Sequence, residues 1–189
     1  MAKYRFSLWI TGGGSAQCDT CWPEGGSAQS VPVVMSSDEA VSPPIDSYFI
    51  GQRDDVIRAN RVVTSVNGRD VLVLHHQGAL HALDARCYHA GGPLQNGDIE
   101  EVAGRVCIVC PWHKYKISVC DGEGVYQAVD PSVKPLKPRW CSEGVKQRVH
   151  KVTEVRGRVY ITLNTSPEHL ESDQYQTSKY RDALHRNRK

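Results

Sequence analysis

The chain has 189 residues, 40% of them hydrophobic and 23% charged, with a formal net charge of +2 at pH 7. That length suits one domain with tails and is enough to bury a core without disulfide support. Near-balanced charge excludes an electrostatic case for nucleic acid or an anionic membrane as partner, and no apolar run approaches the ~20 residues of a membrane helix.

Residues 1–46 are rich in Gly, Ser, Pro and small polar types, with no persisting period of 2 or 3.6. They are read as a flexible leader. The apolar run Phe6–Ile10 is too short for a signal-peptide core. Lys3 and Arg5 precede the first acidic residue, Asp19, which gives only a faint presequence character. A cytoplasmic location is therefore expected, with the mitochondrion as the alternative. Seven cysteines in a chain without a secretory signal argue for metal or redox chemistry rather than a disulfide framework. Cys18 and Cys21 form a Cys-x-x-Cys pair in the leader without strand or helix context, and are read as a disordered thiol pair.

From Ser47 the pattern changes to short β-like runs between turn residues. Ser47–Gly51 and Arg61–Val66 come first, followed by Asn67-Gly68, a strong hairpin signal because both central positions need positive φ. Val71–His76, the turn Gln77-Gly78 and Ala79–Leu83 continue the series. Arg105–Val109, Ile117–Val119, Val133–Leu136, Gln147–Val155 and Arg158–Leu163 complete it, the last pair flanking Arg156-Gly157. The expected fold is all-β, sandwich- or barrel-like, over residues 47–164, with no long amphipathic helix and no internal repeat. Residues 165–189 are polar and end in a basic cluster, read as a solvated tail.

Within this frame one stretch carries chemistry. Cys87-Tyr88-His89 is followed, after twenty residues, by Cys110-Pro111-Trp112-His113. Each pair follows a predicted strand, which places four metal-ligand types on two loops at the end of a β-scaffold. The first loop carries Gly91, Gly92, Pro93 and Gly97. Glycine allows backbone amides to turn inward toward sulfur and lets the chain approach closely, while Pro111 stiffens the second loop.

These motifs resemble the signature of Rieske iron–sulfur proteins, Cys-x-His followed by Cys-x-x-His. The run Cys87-Tyr88-His89-Ala90-Gly91-Gly92-Pro93-Leu94 resembles the ferredoxin and oxygenase branch in particular. The resemblance implies stacked antiparallel sheets with a small cluster-binding subdomain, and one [2Fe–2S] cluster per chain. Cys87 and Cys110 would bind one iron, and His89 and His113 the other. The gap between the pairs is slightly long for the family, which implies a local insertion around Glu100–Ala103. Gly92 and Trp112 stand where the cytochrome-complex branch has a disulfide, and Tyr115 and Ile117 where that branch has hydroxyls raising the potential. A low-potential cluster follows.

The implied role is a single-electron carrier, not an enzyme by itself. Its partner would be a reductase or an oxygenase, and the alternative role is the electron-donor component or small subunit of a separate oxygenase or reductase. A self-contained oxygenase needs a further iron site and far more chain than follows Leu163. A structural zinc module is the non-redox alternative, although Cys-x-His is short for zinc pairs. The remaining residues have plainer readings. Cys107 faces away from Cys110 on its strand and is a core residue; Cys120 and Cys141 are packing residues; adjacent His75 and His76 point to opposite faces; His81 and His150 are structural. Trp112 is a hydrophobic cap over the loops, with partner docking as a second role.

Overall fold

In the computed structural model, residues 42–132, 134–180 and 182 are described. Their strands are β1 (Ser47–Gln52), β2 (Arg61–Val66), β3 (Arg69–His76), β4 (Ala79–Asp84), β5 (Asp98–Val102), β6 (Arg105–Val109), β7 (Lys116–Ser118), β8 (Glu123–Val129), β9 (Pro138–Val145), β10 (Val149–Val155) and β11 (Arg158–Thr162). They make two antiparallel sheets, one in the order β1-β11-β10-β4-β3-β2 and the other β5-β6-β7-β8-β9. The all-β reading with stacked antiparallel sheets is what the chain adopts.

Local chemistry explains the hairpins. Asn67-Gly68, Gln77-Gly78, Ala103-Gly104 and Arg156-Gly157 each place both turn residues at positive φ, near 46–49° and then 73–83°. Those values match two-residue turns whose twist suits antiparallel strands. Strand β3 carries the run Val71-Leu72-Val73-Leu74, at most 1% exposed. It is buried on both faces because Val71 and Val73 join one core with Val56, Ala82, Val159 and Ile161. Leu72 and Leu74 join the other core with Leu83, Leu94, Ile108 and Ile117. This second core lies between the sheets and includes Cys87 and Cys110.

Several elements differ from expectation. A seven-residue helix, α1 (Arg53–Ala59), buries Val56 on the first core; its acidic first turn (Asp54, Asp55) and Arg58 in the last turn suit the helix dipole. Strand β5, which covers most of the segment read as an insertion around Glu100–Ala103, is not among the expected runs; it turns through Ala103-Gly104 into β6. The strand expected at Val133–Leu136 is displaced. Residues 134–137 are irregular, and β9 begins at Pro138, because proline suits the first position of a strand. Cys107 packs with Val102 and Val125, as expected of a core residue. Cys141 is fully buried on β9, as a packing role requires, but it is disulfide-bonded. Cys18 and Cys21 lie outside the described residues.

The polar segment after Leu163 also departs from a solvated tail. Its 3-10 helix Glu171–Gln176 packs against the domain, with Ser172 fully buried. Charge pairing accounts for this. Asp173 lies between Arg148 and Arg69, and Asp84, buried at the end of β4, accepts hydrogen bonds from Arg69 and from the Ser172 hydroxyl.

Candidate metal centre

Loop 1 runs from the end of β4 to β5 and carries the chain from one sheet to the other. It closes on itself through an Arg86–Pro93 bridge, a Cys87 amide donating to the Gly92 carbonyl at 2.9 Å, and a Gly91 amide donating to the Cys87 carbonyl at 2.8 Å. Leu94, fully buried, pins its far end and donates its amide to the Ala85 carbonyl. Loop 2 links β6 to β7. There the Lys114 amide donates to the Cys110 carbonyl at 2.9 Å and the Cys110 amide to the Tyr115 carbonyl at 2.8 Å, with Lys114 at φ 60°.

Side by side, the two loops sort their four singled-out residues by chemistry. The Cys87 and Cys110 side chains are buried, at 0% and 1% exposure, and lie close enough for their sulfurs to interact. The His89 and His113 rings stand at the surface, edge to face, with centroids 4.8 Å apart. A Cβ on Gly92 would lie 2.6 Å from the Cys110 sulfur and 3.3 Å from the Trp112 ring. Only glycine leaves that sulfur in place, and the half-exposed Trp112 sits over the junction of the loops as a cap. Among the described residues, no three His, Cys, Asp or Glu side chains are grouped to hold a single metal ion.

Burial pushes the Cys87 thiol up to about 12, and the neighbouring Cys110 sulfur adds to the rise. Opposing this, the amides of His89 and Ala90 are turned toward the Cys87 sulfur and favour a thiolate. A cation bound here would therefore displace a proton into a site whose backbone already favours sulfur anions. Tyr115 stacks on His89 at 4.0 Å with ring planes 16° apart, and meets Tyr88 edge-on at 5.6 Å. The Tyr88 hydroxyl lies 3.4 Å from Glu143, and burial with that carboxylate pushes the phenol far above its ordinary value.

Beneath loop 1 is a polar support that the sequence did not reveal. Gln147 is fully buried. Its carbonyl accepts the Tyr88 amide at 2.9 Å, and its NH₂ donates to the Asp84 and Arg86 carbonyls at 2.9 and 2.8 Å. Beside it, His150 faces the Asp84 carboxylate through Nε2 at 3.2 Å, while Nδ1 accepts the Asn164 amide. That pattern makes Nε2 the donor to Asp84 and Nδ1 the acceptor. His150 is thus structural, as expected. His81 lies 4.0 Å from the sulfur of Cys120, which is exposed and not packed in the core as expected, at the domain surface and apart from the two Cys/His loops.

Fold and loops together define an all-β protein that carries two Cys/His loops side by side at the junction of its sheets. A family model described as soluble Rieske-type ferredoxin matches residues 48–166. A human relative named Rieske domain-containing protein is 48% identical over 135 residues, covering 71% of this chain and 86% of the relative. The chain belongs to the soluble Rieske-type ferredoxin family. A ferredoxin component of naphthalene 1,2-dioxygenase/salicylate 5-hydroxylase systems from Ralstonia sp is 29% identical over 86 residues, covering 44% of this chain and 79% of that one. The solved ferredoxin of carbazole 1,9a-dioxygenase from Nocardioides aromaticivorans superposes with a TM-score of 0.47 at 19% identity, covering 62% of this chain and 98% of that chain.

Proposed function

We propose that the chain binds one [2Fe–2S] cluster and passes single electrons, with Cys87 and Cys110 holding one iron and His89 and His113 the other. The observation that carries this reading is the division of the four side chains into a buried sulfur pair and an exposed imidazole pair on two adjoining loops. A two-iron group needs two ligands on each iron, whereas a single zinc needs four on one point. The cluster, when bound, would accept and release one electron at a time. The residues supply the rest. Gly92 leaves room for the Cys110 sulfur, the His89 and Ala90 amides face the Cys87 sulfur, and the ring of Tyr115 fixes the plane of His89. The exposed imidazole edge beside Trp112 and Lys114 is where electrons would enter and leave.

Residues 47–164 form the cluster domain in this reading, flanked by a leader and a polar C-terminal segment. The potential is low, and the partner is a reductase or an oxygenase, as the dioxygenase-system ferredoxins among the relatives favour. No described helix is long and apolar enough to cross a membrane, and a cytoplasmic site of action is proposed. Iron, sulfide and zinc analysis of anaerobically purified protein tests the reading. Two irons and two sulfides per chain are expected; one zinc without sulfide would replace it with a structural zinc module.

A further inference from the structure

We propose that residues 170–180 form a strap that sets the orientation of the loop-1 peptides facing the Cys87 sulfur, with Gln174 and Tyr175 as positioning residues. The inference rests on the reading of Cys87 and His89 as cluster ligands. The strap lies beyond residues 48–166, the part of the chain that the family model matches.

In a trans peptide, the N–H and C=O point in opposite directions. The amides of His89 and Ala90 face the Cys87 sulfur. The carbonyls at the other ends of those same peptides, Tyr88 and His89, must therefore face outward. The strap meets both: the Gln174 side-chain NH₂ donates to the Tyr88 carbonyl at 3.4 Å, and the Tyr175 hydroxyl donates to the His89 carbonyl at 3.0 Å. A donor on the carbonyl side resists rotation of the peptide plane and polarises it, so that its N–H is a better donor to sulfur. Tyr180 adds a third contact, its hydroxyl 3.3 Å from the Gly91 carbonyl.

Gly91 makes this approach possible. A Cβ there would lie 2.3 Å from the Tyr180 oxygen and 2.8 Å from a Tyr175 ring carbon. The two tyrosine rings, centroids 4.9 Å apart, occupy the space that a side chain would fill.

The strap is also anchored independently of the loop. Asp173 accepts from Arg148 at 2.7 and 2.9 Å, from Arg69 and from the Leu170 amide. Ser172 donates to Asp84 at 2.6 Å and accepts the Arg148 amide, and Gln176 pairs both ways with the Asp70 backbone at 2.8 and 3.1 Å. A segment fixed at this many points can hold two carbonyls without being carried along by them.

The test compares the wild-type chain with Y175F and with Q174L/Y175F, which keep the tyrosine ring and remove one or both donors. Amide hydrogen exchange is followed in the metal-free protein, and the midpoint potential in the loaded protein. Each lost hydrogen bond should speed exchange at His89 and Ala90 by about five-fold, and both together by about 25-fold, leaving Leu72 and Leu74 of β3 unchanged. The potential should fall in the same order, since weaker donation to sulfur stabilises the reduced state less. Loop exchange within two-fold of wild type, an acceleration shared equally by β3, or local acceleration at constant potential would each overturn the proposal. A wild-type chain that takes up no iron would defeat the cluster reading instead, and the exchange data would still decide whether the strap orients these peptides.

Discussion

Replacing Gln147 with Leu probes the support beneath loop 1. The side chain is fully buried and makes three hydrogen bonds at 2.8–2.9 Å, one to the amide of Tyr88 and two to the carbonyls of Asp84 and Arg86. Leucine has similar bulk but satisfies none of them. Each stranded group costs about 1–3 kcal/mol, or about 3–9 kcal/mol for the three. The apolar side chain returns about 1–2 kcal/mol through better burial. A net loss of about 1–8 kcal/mol, centred near 4–5, is expected, a large share of the ~5–15 kcal/mol of a typical domain. With a slope of about 2 kcal/mol/M, the urea midpoint of the metal-free protein should fall by about 2 M. Gln147→Glu keeps an acceptor for Tyr88 but turns a carboxylate oxygen toward two carbonyls, and should be at least as damaging. A Gln147→Leu midpoint within about 0.3 M of wild type at unchanged slope would refute the assignment of Gln147 as the support of this loop.

Other consequences can be checked separately. Burial alone would raise the Asp84 and Asp173 carboxyls, but hydrogen bonds from His150 and Arg69 in the first case and from Arg148 and Arg69 in the second hold both below their ordinary values. Their contribution is therefore fully present above the unfolded carboxyl value of about 4 and is lost as pH falls below it toward the folded values. Urea midpoints measured from pH 6 down to pH 2.5 should drop along that window, with a smaller drop in Asp173→Asn. Gly92→Ala would place a Cβ 2.6 Å from the Cys110 sulfur; iron bound per chain should fall well below wild type, while far-UV circular dichroism stays the same. Lys114, exposed at φ 60°, should gain about 0.5–1 kcal/mol when replaced by Gly, read as a higher thermal midpoint of the metal-free protein. A potentiometric titration of loaded protein should give a midpoint well below about +100 mV, within the range of mixed Cys/His clusters; a value above that would contradict the low-potential reading.

What the sequence revealed follows from how local each signal is. Asn67-Gly68 and Arg156-Gly157 specify their turns within two residues, and Cys87-x-His89 and Cys110-x-x-His113 specify their loops within four. Strand β5 was hidden because Glu100 and Glu101 interrupt its apolar pattern, and it is held by pairing with β6. β9 was misplaced because Pro135 and Pro138 obscure where the ladder starts. The strap was invisible for a deeper reason. Its stability comes from pairs such as Arg69–Asp173, 104 residues apart, and from side chains reaching backbone carbonyls. A polar segment that meets a buried and a half-buried arginine has the same composition as one that meets water. Gln147 was unreadable likewise, since its role exists only once loop 1 lies over it.

His89 and His113 are proposed to bind one iron of a [2Fe–2S] cluster and Cys87 and Cys110 the other. Electron–nuclear double resonance on the dithionite-reduced protein reads out this division of ligands. Coupling to two distinct ¹⁴N ligand nuclei is expected, with one lost in His89→Cys and the other in His113→Cys. A reduced spectrum without nitrogen coupling, or one unchanged by either substitution, would contradict it.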